Sequence, residues 1–590
     1  MKKFLKNVLV GATIALGIYS NSTYAAANIT KYTYNTENYN VTTEKIVNGP
    51  TLTYSKPSSV YDFFDEDGNF NSVYTTETNV YWTKFDENME EISTVKMAMY
   101  FDKSNSPEAY HDIISNFGNA LYYDEHLYVM YGRESTSDES LVFNYVTMAL
   151  LKYDKQGNIV ANTELVGTQL NPTTFMNLGG GDWNYGTSLP FATDANCSLT
   201  VNSEGIIACF FGRQMFNAHQ SSMLCFLDAQ TMEYVSNRYY TSEENVAKYT
   251  EPGAYYVSHS LAQRIIPTTD GGYLMADSGD AGYKGATRGL LVSKIYNEGD
   301  ILKLSTSKMI HYSEGTKGSH GYNSTYSAVG NILELSDGYM YIGALEPTLS
   351  LEYGDKINES WDIFAQKYTK DFYTKETVEE MQMFDTYIRE ATGTPPEDAD
   401  LGVDASQGRI YLTGDEKDYG IKWLTDLNNE EMTILVRAVE IENDNVVIIW
   451  EQLPMEDLGD EYAVYDYEGD VYYMIIDKDA NIVSEPCKID GVRLNEEEHY
   501  AYKNGKIYWT TTDGSKKIVV NVLDVKNPRE LKGDLNDDGL VNSADAAKAL
   551  VLYKYNNATE EELKRGDMNG DGLMNSADAA KILTVYKYGY

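Results

Sequence analysis

The chain has 590 residues, with 47 Lys and Arg against 89 Asp and Glu for a formal net charge of −42; 42% of its residues are hydrophobic and 13% aromatic. That length accommodates more than one domain, and 51 Tyr, 17 Phe and 6 Trp supply the apolar area that a disordered chain lacks. So large an acidic excess repels phosphate backbones and anionic bilayers, which sets aside nucleic-acid and membrane binding.

At the start of the chain, Lys2, Lys3 and Lys6 precede an apolar run from Val8 to Ile18, and small residues follow at Ala25 to Ala27. This is the pattern of a secretory signal peptide over residues 1–27. About eleven apolar residues are too few to cross roughly 30 Å of hydrocarbon. Cleavage after Ala25 or Ala27 is expected, with a secreted, extracellular product and no membrane insertion.

Residues 28–525 hold short β-rich runs separated by turn residues, such as NALYYDEHLYVMYGR, TDGGYLMADSG, SDGYMYIGALE and KNGKIYWTTTDG. Only Lys375 to Ile388 has a helical stretch. Runs that begin with Asp-Gly, Glu-Gly or Asn-Gly carry a tight hairpin signal. A second element, as in MALLKYDKQGNIV and SMLCFLDAQTMEYV, is an apolar strand that ends in a polar turn and restarts. Together the two make a four-stranded antiparallel sheet, and radial repetition of such sheets is a β-propeller. Six units fall near 115–165, 197–236, 260–305, 328–370, 403–428 and 433–485. Pairing Tyr500 to Val525 with Val73 to Lys96 gives a seventh that closes the ring. Six or eight blades, or a pair of β-sandwiches, are the alternatives.

The four cysteines, Cys197, Cys209, Cys225 and Cys487, contain no CxxC pair, so neither a disulfide framework nor a zinc cluster explains the fold. Cys209 and Cys225 end apolar stretches and read as core. No SxDxGxTW, GxSxG or HExxH motif is present to fix a reaction. Candidate residues come instead from loops where rare side chains collect. Trp183 and Tyr185, in a glycine-rich segment, offer aromatic faces on which a sugar ring stacks. His259, Asp277 and Arg288 are the candidate acid, base and charge clamp; His219, Arg264 and His320 are candidate substrate contacts. A propeller would bring these inter-strand segments toward one face. Packing and satisfaction of buried carbonyls is the competing role for each. Whether the module hydrolyses a glycan, cleaves it as a lyase, or only binds it stays open.

A linker over 526–533 leads to the tail at 534–590. Asp534 to Tyr555 and Asp567 to Tyr588 repeat at a 33-residue offset with 16 of 22 positions identical. Each copy opens with oxygen-bearing side chains at loop positions 1, 3 and 5: Asp534, Asn536 and Asp538, then Asp567, Asn569 and Asp571. Gly539 and Gly572 stand at the sharp turn, the carbonyls of Leu540 and Leu573 can supply position 7, and Asn542 and Asn575 occupy position 9. Asp545 and Asp578 close the loops at position 12, where an EF-hand has Glu. This is hard-oxygen spacing suited to calcium, and the residues that follow each loop have helical content.

On these residues the tail, from about 532 to 590, resembles a type I dockerin, the module that plugs secreted proteins into cohesin domains of a cellulosome scaffold. The resemblance implies two Ca2+ ions and a cohesin partner on a cell-surface complex. It places cohesin-reading positions at Ser543, Ala544, Leu550, Val551 and Lys554, and at Ser576, Ala577, Leu583, Thr584 and Lys587. Ser-Ala and Leu-Val replace the Ser-Thr and Lys-Arg pairs of some family members. Ten acidic and six basic side chains over 533–590 leave a net charge of −4, which two calcium ions would cancel. The near-identity of the copies suggests that either helix can face the cohesin. The implied role is a part in polysaccharide breakdown, on plant-fibre or storage polysaccharide, with a structural or protein-binding accessory subunit as the alternative.

Overall fold

A computed structural model describes residues 23–24, 28–35, 46–48, 60–75, 79–98, 116–132, 146–166, 188–190, 197–215, 220–235, 239–240, 262–280, 288–298, 301–304, 308–313, 327–345, 361–370, 410–411, 421–427, 431–454, 463–465, 469–495, 497–512, 517–525, 532–536 and 540–588. The helical candidate at 375–388 lies outside them. Two compact units are present: 29–482 with 491–523, and 1–28 with 483–490 and 524–590.

The first unit is a seven-bladed β-propeller. Blade 1 is Val60–Phe64, Phe70–Thr75, Val80–Phe85 and Glu91–Lys96, in that order. Blade 2 runs Asn116–Tyr123, His126–Gly132, Val146–Tyr153 and Ile159–Val166. The blade 3 strands Cys197–Val201, Ile206–Met215 and Gln220–Asp228 are joined at the rim by a bridge from Leu227 to Tyr234. Blade 4 is built on Arg264–Pro267, Tyr273–Asp280 and Arg288–Glu298, with Ile301–Leu304 and Lys308–Ser313 both pairing the third strand. Ser327–Leu335, Gly338–Leu345, Asp362–Thr369 and Ile421–Trp423 make blade 5. Blade 6 starts with Glu431–Ile441, Asn445–Pro454 and Asp470–Ile476.

Blade 7 closes the ring. Its Ala501–Lys503, Lys506–Thr512 and Lys517–Asp524 come from the C-terminal side, and its outer strand, Ile29–Asn35, comes from the other end of the chain. Ile29 pairs Leu523 and Asn35 pairs Lys517 across seven register positions. The closure expected with Val73 to Lys96 is therefore corrected: those residues lie in blade 1, whose four strands are complete without help. Nor is 403–428 a blade of its own, since Ile421–Trp423 is the fourth strand of blade 5.

The hairpins follow from turn chemistry. Asp124-Glu125, with φ of 49° and 60°, and Asn504-Gly505, at 52° and 79°, are two-residue turns with both central residues left-handed, the geometry whose twist matches the strands. A longer turn recurs between strands, anchored by one Asp. Asp154 Oδ1 accepts the N–H groups of Gln156 and Asn158, both at 2.9 Å, and Asp477 Oδ1 those of Asp479 and Asn481 at 2.9 and 2.8 Å. The carboxylate thus does locally what a backbone turn would do.

Apolar side chains fill the spaces between neighbouring sheets. One cluster joins blades 1 and 2 through Val73, Trp82, Val129 and Leu151, another blades 5 and 6 through Ile342, Ile363, Val436 and Trp450. All four cysteines are buried free thiols. In the second unit, Ser543–Tyr555 (α1), Glu560–Gly566 (α2) and Ser576–Tyr588 (α3) surround a small core of Leu535, Val541, Ala549, Leu552 and Ile582. Thr23–Tyr24, within the proposed leader, pairs with Leu540–Val541. Among the described residues no helix is long and apolar enough to cross a membrane.

Candidate functional site

The tail is built by its paired loops. α1 begins at Asn542, whose side chain accepts from Ala544 N at 2.7 Å while Asp545 Oδ2 accepts from Asn542 N at 2.8 Å, a reciprocal cap. Asp545 Oδ1 takes the N–H groups of Leu535 and Asn536 at 2.8 and 3.1 Å. The second copy repeats this: Asp578 accepts from Met568, Asn569 and Asn575 at 2.9, 3.2 and 2.8 Å. Asp545 and Asp578 are fully buried, so each helix start is tied to the loop before it. Lys548 and Lys581 clamp the same point by donating to Leu535 O and Met568 O at 2.5 and 3.0 Å.

The second loop is described throughout. Asp567 accepts from Gly570 and Asp571 on Oδ1 at 2.7 and 3.1 Å, and from Gly572 on Oδ2 at 2.7 Å. Burial pulls this carboxyl up, and the three N–H groups with Lys532 outweigh it, holding Asp567 below the usual carboxylate range. Gly572 has φ +79°, the left-handed turn that position 6 requires. Asn569 and Asn575 both donate to Asp571 Oδ2, at 2.9 and 3.0 Å. Positions 3, 5 and 9 therefore converge on one point, and every donor there is a hard oxygen or an amide that can turn its oxygen inward, which fits calcium. Among the described residues no three His, Cys, Asp or Glu side chains gather as a metal cluster; the loop interleaves its carboxylates with amides. In the first loop Asp534 and Asn536 are described, while Asp538 lies outside the described residues, as does the side chain of Leu540.

The expected cohesin-reading positions are all solvent-exposed: Ser543, Ala544, Leu550, Val551 and Lys554 on α1, and Ser576, Ala577, Leu583, Thr584 and Lys587 on α3. Leu550, Val551 and Leu583 are 47%, 51% and 45% exposed, and Tyr553, Tyr555 and Leu573 of the same module are exposed as well.

The propeller axis holds a second constellation, which the sequence reading missed. The first strands of several neighbouring sheets touch, and polar side chains link blades 1 to 2, 2 to 3, 3 to 4, 5 to 6 and 7 to 1. Tyr122 N donates to Tyr61 Oη at 3.1 Å. Asn119 Nδ2 donates to Cys197 O at 2.8 Å, Ile265 N to Ser198 Oγ at 2.9 Å, and Ala438 N to Asn331 Oδ1 at 3.0 Å. Thr510 closes the circuit, its N at 2.6 Å and its Oγ1 at 2.9 Å from the Asp62 carboxylate. These side chains satisfy backbone groups at the centre of the ring, where no further strand can pair them.

Asn495 and the residues from Glu497 to Tyr500 lie at this centre. Arg437 donates to Glu497 O at 2.6 Å and to Asn495 O at 3.1 Å. Glu498 accepts from Ser198 Oγ at 2.6 Å and from Arg264 Nη1 at 3.2 Å, while Asn331 Nδ2 donates to Glu498 O at 2.6 Å. Asp62 N donates to the Glu497 carboxyl, which also hydrogen-bonds the Asp62 carboxyl. Asn495, Glu497 and Glu498 thus touch blades 1, 3, 4, 5 and 6. The signal that was available is NEEEHY, an acidic run just ahead of the last strands.

Of the sequence-predicted propeller residues, Arg264 begins the first strand of blade 4 and belongs to this axial network. Asp277 is buried on the second strand of the same blade and pairs Leu291 in register. Arg288 opens the third strand opposite Asp280, three residues or ~10 Å along the sheet from Asp277; its side chain lies outside the described residues. So do His259, Trp183, Tyr185, His219 and His320.

Blade count and duplicated loops together define a modular protein, a β-propeller followed in the chain by a small helical module with paired loops. Residues 532–583 match the dockerin type I domain, and the chain carries that domain. No curated protein matches the sequence. Similar solved structures include the polysaccharide lyase Uly1, with 8% identity and a TM-score of 0.38 over 84% of this chain and 99% of that one. Drosophila Plexin A in complex with Semaphorin 1b gives 7% identity and a TM-score of 0.37 over 82% and 88%. The α-L-arabinanase of Penicillium chrysogenum complexed with arabinobiose gives 8% and 0.31 over 82% and 99%. These scores are low, and the propeller assignment rests on the sheets themselves.

Proposed function

We propose that the protein is a secreted component of a cellulosome-type assembly, held on its scaffold by a calcium-dependent dockerin–cohesin contact, with a propeller that handles a polysaccharide. The observation that carries the attachment is the duplicated loop and helix, each with a buried closing aspartate and exposed apolar side chains beside it. Asp534, Asn536, Asp538, the Leu540 carbonyl and Asp545 would hold one ion, and Asp567, Asn569, Asp571, the Leu573 carbonyl and Asp578 the other. Bound there, calcium supplies the positive charge that lets clustered carboxylates share one small volume. The chain's own contribution is to fix the loops at both ends, through the buried aspartates and through Lys548 and Lys581.

The glycan part of this reading is supported by the dockerin match and by Arg264, Asp277 and Arg288 lying on the strands of one blade. Retention of the full chain on immobilised cohesin in calcium, and its release by chelator, tests the first part; retention in chelator would overturn it. Retardation in native gels cast with soluble polysaccharides tests the second, and reducing-sugar release or absorbance of an unsaturated product separates a hydrolase, a lyase and a binder.

A further inference from the structure

We propose that Asn569 is a site of self-modification: its side-chain amide is lost to the backbone nitrogen of Gly570, so that the second loop of the tail is altered while the first stays as made. The consequence for docking rests on the attachment reading; the modification itself does not.

Sequence and structure together single out this residue. Loop position 3 of the second copy is Asn569 followed by Gly570, whereas its counterpart Asn536 is followed by Asp537. Glycine has no Cβ to obstruct closure of a ring at its nitrogen. The dipeptide alone does not decide the matter, since Asn504-Gly505 is the same pair. There both residues are left-handed in a tight hairpin closed by the pairing of Lys503 with Lys506, and Gly505 is buried. Asn569 and Gly570 are both exposed, and a Cβ on Gly570 would meet nothing within 4 Å.

The loop also presents the reacting groups in a productive arrangement. Asn569 Oδ1 accepts from Asp571 N at 2.8 Å, a donor already aimed at the oxygen on which charge develops when the carbonyl carbon is attacked. Asn569 Nδ2, the group that leaves, donates to Asp571 Oδ2 at 2.9 Å. Gly570 N donates to Asp567 Oδ1 at 2.7 Å, a charge-assisted contact that enriches the nitrogen in electrons. These contacts lie within residues 567–571 and do not wait on the helices to pack. Nucleophile and electrophile are chain neighbours, so no encounter is needed. A bond forms between Gly570 N and Asn569 Cγ, the Cγ–Nδ2 bond breaks, the proton of the attacking nitrogen passes through water to the departing amine, and ammonia leaves. Water then opens the succinimide at one carbonyl or the other, giving Asp or an isoaspartyl linkage.

The isoaspartyl product lengthens the main chain by one carbon. Asp578 accepts from Met568 N and Asn569 N at 2.9 and 3.2 Å, and these bonds tie α3 to its loop. A longer backbone at 569 breaks that tie and shifts every later loop position relative to Asp567. The α3 face is lost, the α1 face is kept, and a module with two docking faces becomes one with a single face.

To test this, the full chain is aged near neutral pH in chelator and in calcium. Peptide mapping by mass spectrometry follows the amide-to-acid mass gain at Asn569, Asn504 and Asn536, and labelling with isoaspartyl methyltransferase counts the isoaspartate. In chelator the gain at Asn569 is expected to outpace that at the other two by at least about tenfold; comparable rates at all three overturn the proposal. In calcium the gain should slow, because an ion at position 3 would hold the Asn569 oxygen. An equally fast gain there leaves the modification standing and counts against an ion in the second loop. With Ser543→Asp and Leu550→Asp closing the first face, retention on immobilised cohesin should fall in step with isoaspartate. Retention unchanged by ageing overturns the docking consequence, whereas absence of retention in unaged wild type rejects the attachment reading instead.

Discussion

Arg264 Nη1 lies 3.2 Å from Glu498 Oε1, across 234 positions of sequence, with the two side chains 3% and 2% exposed. An ion pair this deep returns little net stability over an apolar pair, but removing one partner strands the other charge. Glu498→Ala is expected to destabilise the propeller by about 3–5 kcal/mol, read as a fall in the calorimetric melting temperature of the larger unit. Arg264→Met combined with Glu498→Leu should cost less than either alone. A near-wild-type melt for Glu498→Ala would show that the axial segment does not hold the blades together.

The paired acids Asp62 and Glu497 at the axis give the ring a pH dependence of unusual sign. Burial pushes Asp62 up to about 6 against hydrogen bonds from Ser72 and Thr510 that pull it down. Burial and then the Asp62 charge push Glu497 well above its ordinary range. A carboxyl raised in the folded state binds its proton more tightly there than when unfolded. Its contribution is complete below about pH 4 and is lost as pH rises through 6 and beyond. Glu497→Gln should therefore be less sensitive than wild type to a rise from pH 4 to 7, in thermal melts at fixed calcium. Parallel curves for the two proteins would remove the shared-proton account.

In the tail, the closing aspartates bear on folding as well as on metal. Asp545→Ala deletes three backbone contacts of the first loop and Asp578→Ala three of the second. Each change is expected to lower calcium stoichiometry by one and to cost helicity around α1 or α3, because a core this small relies on its ions. Titration calorimetry and far-ultraviolet circular dichroism check both. Full helicity of wild type in excess chelator would contradict the coupling.

The two exposed faces are near copies, so either is expected to dock. Ser576→Asp with Leu583→Asp, or Ser543→Asp with Leu550→Asp, should each leave cohesin binding within about tenfold of wild type, and the combination should abolish it. Binding lost with one pair alone would assign a single face.

The outer strand of blade 7 makes a separate prediction. Removing residues 29–35 strips Lys517–Asp524 of its partner over seven register positions and leaves a three-stranded blade with an exposed edge, an aggregation-prone feature. The truncated protein should melt earlier and self-associate in sedimentation experiments.

Some of this was legible in the residues alone. The calcium-type loops are local, their donors fixed by spacing within a dozen residues, and so a single copy already announced its chemistry and the second copy repeated it. Asn504-Gly505 and the Asp-anchored turns likewise write their conformations in adjacent residues, which is why sheets of four strands could be foreseen. Which strands meet was not local information. The pairing of Ile29–Asn35 with Lys517–Asp524 depends on where the ring happens to close, and no periodicity distinguishes that strand from Val73 or its neighbours. The axis was least accessible of all: Asp62, Ser198, Arg264, Asn331, Arg437 and Glu498 look like unrelated polar residues until seven sheets are arranged around one line and their unpaired backbone groups have to be satisfied from within.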